Sequence, residues 1–140
     1  MSGEGPAGRE SRLKIGLRWV LAVAMVWVGI THFTAPDGFV AIVPPFLPAP
    51  LALVYVSGVA EIAGGVGILV PRMRRAAGWG LIALYVAVFP ANIHMALHQI
   101  PLGGDPVPAW ALWARLPFQA VFIAWAWWVA AARPRGHVRG

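Results

Sequence analysis

Four long apolar stretches dominate the sequence and leave little room for any fold other than helices packed in a membrane. They cover approximately residues 15–33, 51–70, 76–97 and 110–132. A helix needs about 20 mostly apolar residues to cross the roughly 30 Å of hydrocarbon in a bilayer. Each stretch is close to that length, so each is expected to span the membrane once. The predicted fold is all-α, an integral membrane four-helix bundle.

The composition agrees with a membrane chain and excludes several other classes. Hydrophobic residues make up 59% of the 140 residues and charged residues 11%, whereas soluble domains have about 25% charged residues. So few charges would not cover the surface of a soluble globule. The sequence contains no cysteine, so disulfides, thiolate metal sites and thiol redox chemistry are excluded.

Basic residues lie almost entirely on one side of the predicted spans. The connections 34–50 and 98–109 contain no Lys or Arg. The other segments outside the spans, together with the start of the first span, hold ten of the eleven: Arg9, Arg12, Lys14, Arg18, Arg72, Arg74, Arg75, Arg133, Arg135 and Arg139. The positive-inside rule therefore places both termini in the cytoplasm and the two connections outside. We interpret the net charge of +6 as membrane topology, and expect no nucleic-acid partner.

These features predict three parts in the chain. Residues 1–14 are polar and are expected to form a disordered cytoplasmic N-terminus, residues 15–132 form the membrane domain, and residues 133–140 form a basic cytoplasmic tail. The outer connection 34–50 is rich in proline, and residues 43–50 are too dense in proline for a regular helix. We expect this connection to form a stiff cap over the bundle.

Glu61 is the most informative residue because it lies close to the middle of the second span. A charged group at a helix centre costs about 2.5–3.5 kcal/mol, so such a residue usually faces the bundle interior with a partner. Ser57, Gly64 and Gly65 share its face at helical spacing, and small residues allow helices to approach closely. Glu61 is interpreted either as a functional group or as a structural glutamate that locks the bundle.

Arg115 and Gln119 lie one turn apart in the fourth span and share a face. Pro117 between them frees a backbone carbonyl. We expect either an ion pair between Arg115 and Glu61 or an Arg115 side chain that extends outward to the lipid headgroups.

Three histidines are expected near the outer side of the membrane. His94 and His98 are one turn apart at the end of the third span, just after Asn92, and His32 ends the first span. Such a group suits a metal, haem or quinone site, or simply interfacial hydrogen bonding. No carboxylate or cysteine stands at ligand spacing beside the pair, so no metal site is assigned.

The polar motifs taken in order resemble those of DoxX family membrane proteins. The matching strings are residues 29–33, 43–48, 55–65, 89–95 and 115–119, within a resemblance that covers about residues 15–130. The resemblance implies a multi-pass protein of the bacterial inner (plasma) membrane. It also implies functional positions, which fall here on His32, Glu61, Asn92, His94, Arg115 and Gln119. His98 lies outside the motif and, with Ser57, is an additional candidate.

The resemblance leaves the type of activity open. The family is named after a subunit of an archaeal thiosulfate:quinone oxidoreductase, and a wider superfamily includes a chaperone of ligand-gated channels. The first hypothesis is an accessory subunit of a quinone-linked membrane redox system, an oxidoreductase subunit that is not catalytic alone. It has a polar pocket for a quinone in the outer half of the bundle, and no cofactor within the chain itself.

The second hypothesis is a non-catalytic membrane scaffold or assembly factor, and the third is a small proton-coupled permease. The expected partners are the lipid bilayer, a membrane or redox protein, and a second copy of the chain. The first two hypotheses differ in one structural feature, because a binding protein needs a cavity among the polar residues and a scaffold needs a closely packed interior.

Overall fold

The structure, a computed structural model, describes residues 10–101 and 106–131, and this part of the chain folds into helices joined by short connections. The elements in order are α1 (Arg12–Thr34), α2 (Pro36–Ala41), α3 (Pro50–Gly67), α4 (Arg74–His98), α5 (Ala109–Ala126) and a π-helix (Trp127–Ala131) that continues α5. The all-α prediction is confirmed for the described residues. The predicted tail 133–140 lies outside them.

The first helix starts earlier than we expected. Ser11 caps α1, because its hydroxyl oxygen accepts a hydrogen bond of 3.2 Å from the backbone N–H of Lys14. Residues 12–14 were predicted to be disordered, and that prediction is wrong because this cap starts the helix at Arg12. Residues 1–9 of the same predicted segment lie outside the described part.

The proline-rich connection contains a short helix that the sequence analysis did not predict. Pro36 occupies the first turn of α2, where its missing N–H removes no helical hydrogen bond. Residues 43–49 form turns and bends, as their proline content predicts. Ala49 adopts a left-handed conformation with φ of 49° immediately before Pro50 starts α3. The connection therefore reverses the chain over a short distance.

The long helices pack in chain order. α1 lies against α3, α3 against α4, and α4 against α5, while the π-helix after α5 returns to contact α1. A large core cluster lies near the contact between the π-helix and α1. It includes Leu21, Ile68, Leu81 and Val129, all almost completely buried. A smaller cluster of Met95, Ala96 and Leu112 lies towards the other end. Along α4, a stretch without a packed apolar core separates the two clusters.

Two glycines allow α1 and α3 to cross closely. A Cβ atom on Gly58 would lie 2.7 Å from the Cβ of His32 and 3.0 Å from the carbonyl oxygen of Gly29. A Cβ atom on Gly29 would lie 2.9 Å from the carbonyl oxygen of Gly58. These distances leave no space for any larger residue, so the crossing depends on glycine at both positions.

Three helices are long and apolar enough to cross a membrane, judged by length and composition of the described residues. They are α1, α3 and α4. The fourth predicted span corresponds to α5 and the π-helix, and α5 does not meet the same criteria. Large apolar side chains also face outward, including Trp27 at 70% exposure and Trp110 at 74%. An outward apolar surface of this kind suits a lipid environment.

Arg18 links α1 to the π-helix where these two helices meet. In the sequence Arg18 was interpreted only as one of the basic residues on the cytoplasmic side, but in the structure only 4% of its surface is exposed. Its Nε donates a 2.7 Å hydrogen bond to the Val129 carbonyl oxygen, and its guanidinium also pairs with the Glu10 carboxylate. Helix ends leave carbonyl oxygens without a helical partner, and Arg18 satisfies one of them. This contact connects the first helix to the last.

Candidate functional site

A cavity of about 380 Å³ lies between the two core clusters, among side chains from α1 to α5. Six polar residues that the sequence analysis selected line it: His32, Ser57, Glu61, Asn92, Arg115 and Gln119. Apolar residues such as Met25, Val28 and Phe122 complete the wall. The polar residues therefore line an open space, although some of them also contact one another.

The lining residues lie on one face of each long helix. Asn92 lines the cavity with Tyr85 and Val88 of α4, and Arg115 does so with Gln119 of α5. Positions separated by three, four or seven residues point in nearly the same direction on an α-helix. Each long helix therefore presents one or two polar residues to the cavity, and apolar residues make up the rest of the lining. Ligand sites between packed helices are built from side chains on such facing surfaces.

His94 and His98 do not line this cavity. Their rings lie against each other with centroids 4.2 Å apart, and the Nδ1 of His98 is 3.0 Å from the His94 carbonyl oxygen. His94 is two residues from Asn92, which is a rotation of about 200° around the helix. The expectation that His94 joins the polar group is wrong for this cavity, because Asn92 and His94 face opposite directions. The three histidines therefore do not line one site.

Glu61 lies beside His32 but has no hydrogen bond from it. The Nδ1 atom of His32 lies 3.2 Å from Oε2 of Glu61 and 2.9 Å from the Val28 carbonyl oxygen. A carbonyl oxygen only accepts hydrogen bonds, so Nδ1 carries the hydrogen and donates it to Val28. Oε2 of Glu61 is therefore buried without a hydrogen-bond partner among the described residues. Such a group is costly unless a donor is supplied.

Arg115 does not form the ion pair with Glu61 that we considered. In the described part of the chain, the basic group within 4.0 Å of the Glu61 carboxylate is His32. Arg115 is half-buried and lines the cavity. The cavity separates the two side chains, and this separation leaves an acidic and a basic group facing the same space.

Asn92 and Gln119 form a connected hydrogen-bond chain between α4 and α5. The Asn92 side-chain amide donates a 2.7 Å hydrogen bond to Oε1 of Gln119, whose own amide donates to the Tyr85 carbonyl oxygen. Pro90 within α4 lacks an N–H and leaves a backbone carbonyl of this helix without its usual partner. Both side chains are held in one orientation at the cavity wall.

Some cavity residues were missed by the sequence analysis. Phe39 of α2 stacks on the His32 ring with centroids 3.9 Å apart, so this short helix covers the cavity. The Tyr85 hydroxyl lies 2.7 Å from the sulfur of Met25, across the interior from α4 to α1. Tyr85 could have been recognised from the sequence as a candidate interior residue, because a tyrosine within an apolar span usually finds a hydrogen-bond partner for its hydroxyl when it is buried.

A second compartment of about 200 Å³ adjoins the cavity. It shares His32, Phe39 and Ser57 with the cavity and extends below the proline-rich connection, where Pro44 and Leu47 line it. The wall contributed by α3 and α4 is mostly apolar. The two spaces together can accept a molecule that has a polar head and an apolar substituent.

The chemistry available in the cavity is hydrogen bonding and charge stabilisation. Arg115 is a donor only, Glu61 brings a carboxyl group to the lining, and Ser57 can act as donor or acceptor. No group of three or more His, Asp or Glu side chains able to hold a metal ion occurs within residues 10–101 and 106–131. The arrangement suits the recognition of a small organic head group.

The described residues define an all-helical protein whose apolar, membrane-length helices enclose a cavity lined in part by polar side chains. Residues 21–130 match the family described as Domain of unknown function (DUF8561). This match covers most of the chain, so the chain belongs to that family. Comparisons with curated proteins and with solved structures give no match.

Proposed function

We propose that the chain is a four-span protein of the bacterial inner membrane, with α5 and its π-helical continuation as the fourth span. The distribution of basic residues supports cytoplasmic termini, since the connections 34–50 and 98–109 contain no Lys or Arg. The cavity residues His32, Asn92 and Arg115 lie near the helix ends that adjoin those connections. On this proposal the cavity lies in the outer half of a four-helix bundle.

The proposed function is to bind a lipid-soluble, quinone-like molecule as an accessory subunit of a membrane redox system. The observation that carries the proposal is the 380 Å³ cavity, in which six polar side chains share the lining with apolar ones. Ligand pockets typically combine an apolar wall with a few polar groups that orient the ligand. Electrons would come from a partner protein, and the absence of cysteine excludes a dithiol relay in this chain.

The resemblance to DoxX proteins is part of the same proposal. It rests on the order of the motifs around His32, Glu61, Asn92 and Arg115, and these residues line one cavity. The scaffold hypothesis predicts that the polar residues fill the interior by pairing with one another. The separation of Glu61 from Arg115 favours a binding role over that alternative.

The proposal is tested by native mass spectrometry and lipid extraction on the full chain in lipid nanodiscs. We expect a stoichiometric lipid-soluble molecule to accompany the wild-type protein. Val88→Trp places a large ring in the cavity and should remove that molecule, whereas Val86→Trp, on the exposed side of the same helix, should retain it. A wild-type protein that carries no small molecule but co-purifies with a membrane protein would support the scaffold hypothesis instead.

A further inference from the structure

The cavity is open on the side between α1 and α5. The long helices pack in the order α1, α3, α4 and α5, which closes the sides between these neighbours. In the described part of the chain, α1 shows no extended packing against α5 and packs against that end of the chain only at the π-helix. The core cluster around Leu21 closes the cavity near the π-helix, and Phe39 of α2 covers the opposite end. The remaining opening therefore faces sideways.

Side chains on both helices border this opening. Val28 of α1 lines the cavity and also lines a groove on the outer surface of α1. Phe118 of α5 lines the cavity and is 62% exposed. A residue that belongs to both the interior wall and the outer surface lies at the edge of an opening. The cavity is therefore continuous with the outside of the bundle beside Val28 and Phe118.

The groove on the outer surface of α1 is lined by apolar residues of that helix: Trp19, Val20, Val23, Ala24, Trp27 and Val28. Trp19, Val23 and Trp27 are spaced by four residues and share one face. Trp19 lies nine residues before Val28, which is about 14 Å along the helix axis. An extended decyl chain nearly covers that length. On the proposed topology, this part of α1 lies in the hydrocarbon of the bilayer.

We propose that a molecule bound in the cavity extends its apolar chain through the opening between α1 and α5 and places it in the α1 groove. Polar cavity residues such as Arg115 and Gln119 hold the head group. The compartment below the proline-rich connection has a volume of about 200 Å³, against about 570 Å³ for the groove. It also lies beside a connection that is outside the membrane on the proposed topology. This inference rests on the proposed function and specifies a long-chain ligand that enters from the lipid.

The position of the chain, and not its affinity, is the property to measure. Lipid tails are as apolar as the groove, so moving the chain from the bilayer into the groove changes the binding free energy little. The probe is a trimethyl-para-benzoquinone with a decyl chain that ends in a diazirine. The competitor is the same molecule without the diazirine. The full chain is irradiated with the probe in lipid nanodiscs, and the labelled residues are identified by mass spectrometry.

In the wild type we expect an excess of the competitor to remove most of the label from residues 19–28 of α1. Random labelling from the bilayer, as at Val86 on the exposed side of α4, should not respond to the competitor. Val23→Trp fills the groove and should abolish the label on α1 that the competitor removes. Val59→Trp on α3 is the matched control and should retain it, since Val59 is 58% exposed and Val23 is 62% exposed.

The outcomes separate the inference from the proposed function. If the competitor removes label from Pro44 and Leu47 but not from α1, the inference is overturned and the proposed function stands. Label on α1 that responds to the competitor but persists in Val23→Trp would also overturn the inference. If the competitor removes no label anywhere, the proposed function itself fails. The labelling pattern of the wild type decides the question even if Val23→Trp does not fold.

Discussion

Replacement of Gly58 by alanine tests the close crossing of α1 and α3 that shapes the cavity. The added Cβ would lie 2.7 Å from the His32 Cβ, 2.9 Å from a Phe33 ring carbon and 3.0 Å from the Gly29 carbonyl oxygen. Carbon atoms normally approach to about 3.5–4.0 Å. Two of these neighbours are fixed to the α1 backbone, so they cannot move without moving the helix. Gly58→Ala must therefore separate α1 from α3.

The loss of unfolding free energy caused by Gly58→Ala can be isolated by comparison with the same substitution at a glycine that has free space around it. Inserting an extra carbon into a packed interface costs about 1–3 kcal/mol, and replacing a helical glycine by alanine returns about 1 kcal/mol of helix propensity. A Cβ on Gly80 of α4 meets nothing within 4 Å, so Gly80→Ala receives the propensity gain alone. The difference between the two variants isolates packing, and we expect Gly58→Ala to be less stable by about 1–3 kcal/mol.

The assay is thermal unfolding of the detergent-solubilised protein, followed by the fluorescence of its 8 tryptophans. For a chain of this size the expected difference corresponds to a Tm about 3–10 °C lower for Gly58→Ala than for Gly80→Ala. Gly16→Ala is a second control, because its Cβ also meets nothing within 4 Å. Equal unfolding temperatures for Gly58→Ala and Gly80→Ala would refute the reasoning, since they would mean that the helices are not in close contact at Gly58.

Two further predictions concern the contacts that hold the helices together. Hydrogen bonding from Arg18 holds the pKa of Glu10 below its usual range. The ionised Glu10 carboxylate therefore stabilises the fold at neutral pH, and this stabilisation is lost as the pH falls through the lowered pKa. Glu10→Gln should flatten the stability profile in the acid range, and an unchanged profile in chemical unfolding would contradict the pairing. For Asn92→Ala and Gln119→Ala, a double-mutant cycle should give a coupling energy of about 0.5–2 kcal/mol. Additive effects would mean that the two side chains do not interact.

The positions of the apolar helices and of most cavity residues could be predicted from the sequence. An apolar run of membrane length is visible without any knowledge of its neighbours. A polar residue within such a run can also be recognised from the sequence alone. Its burial is costly whichever partner it finds, so it is expected to have a structural or functional role. Glu61, Arg115 and Gln119 were selected on this basis, and all three line the cavity.

The partners of these residues could not be predicted, because helices that are apolar on every side leave their rotation and depth undetermined. Arg115 was considered as the partner of Glu61, but His32 lies closer because the glycine crossing brings α1 against α3. Helical spacing alone would have separated His94 from Asn92, since two residues correspond to about 200° of rotation. The two residues were grouped by their depth in the predicted span, which takes no account of this rotation.

The sequence by itself determined that the chain is helical and apolar, and which few polar groups lie inside it, because these properties depend on each residue and its near neighbours along the chain. The tertiary structure decided that the polar groups surround a cavity, that α2 covers it, and that Arg18 joins the first helix to the last. These features depend on side-chain volumes and on contacts between residues far apart in sequence. Hydropathy and spacing do not encode such contacts, so only the packed structure could establish them.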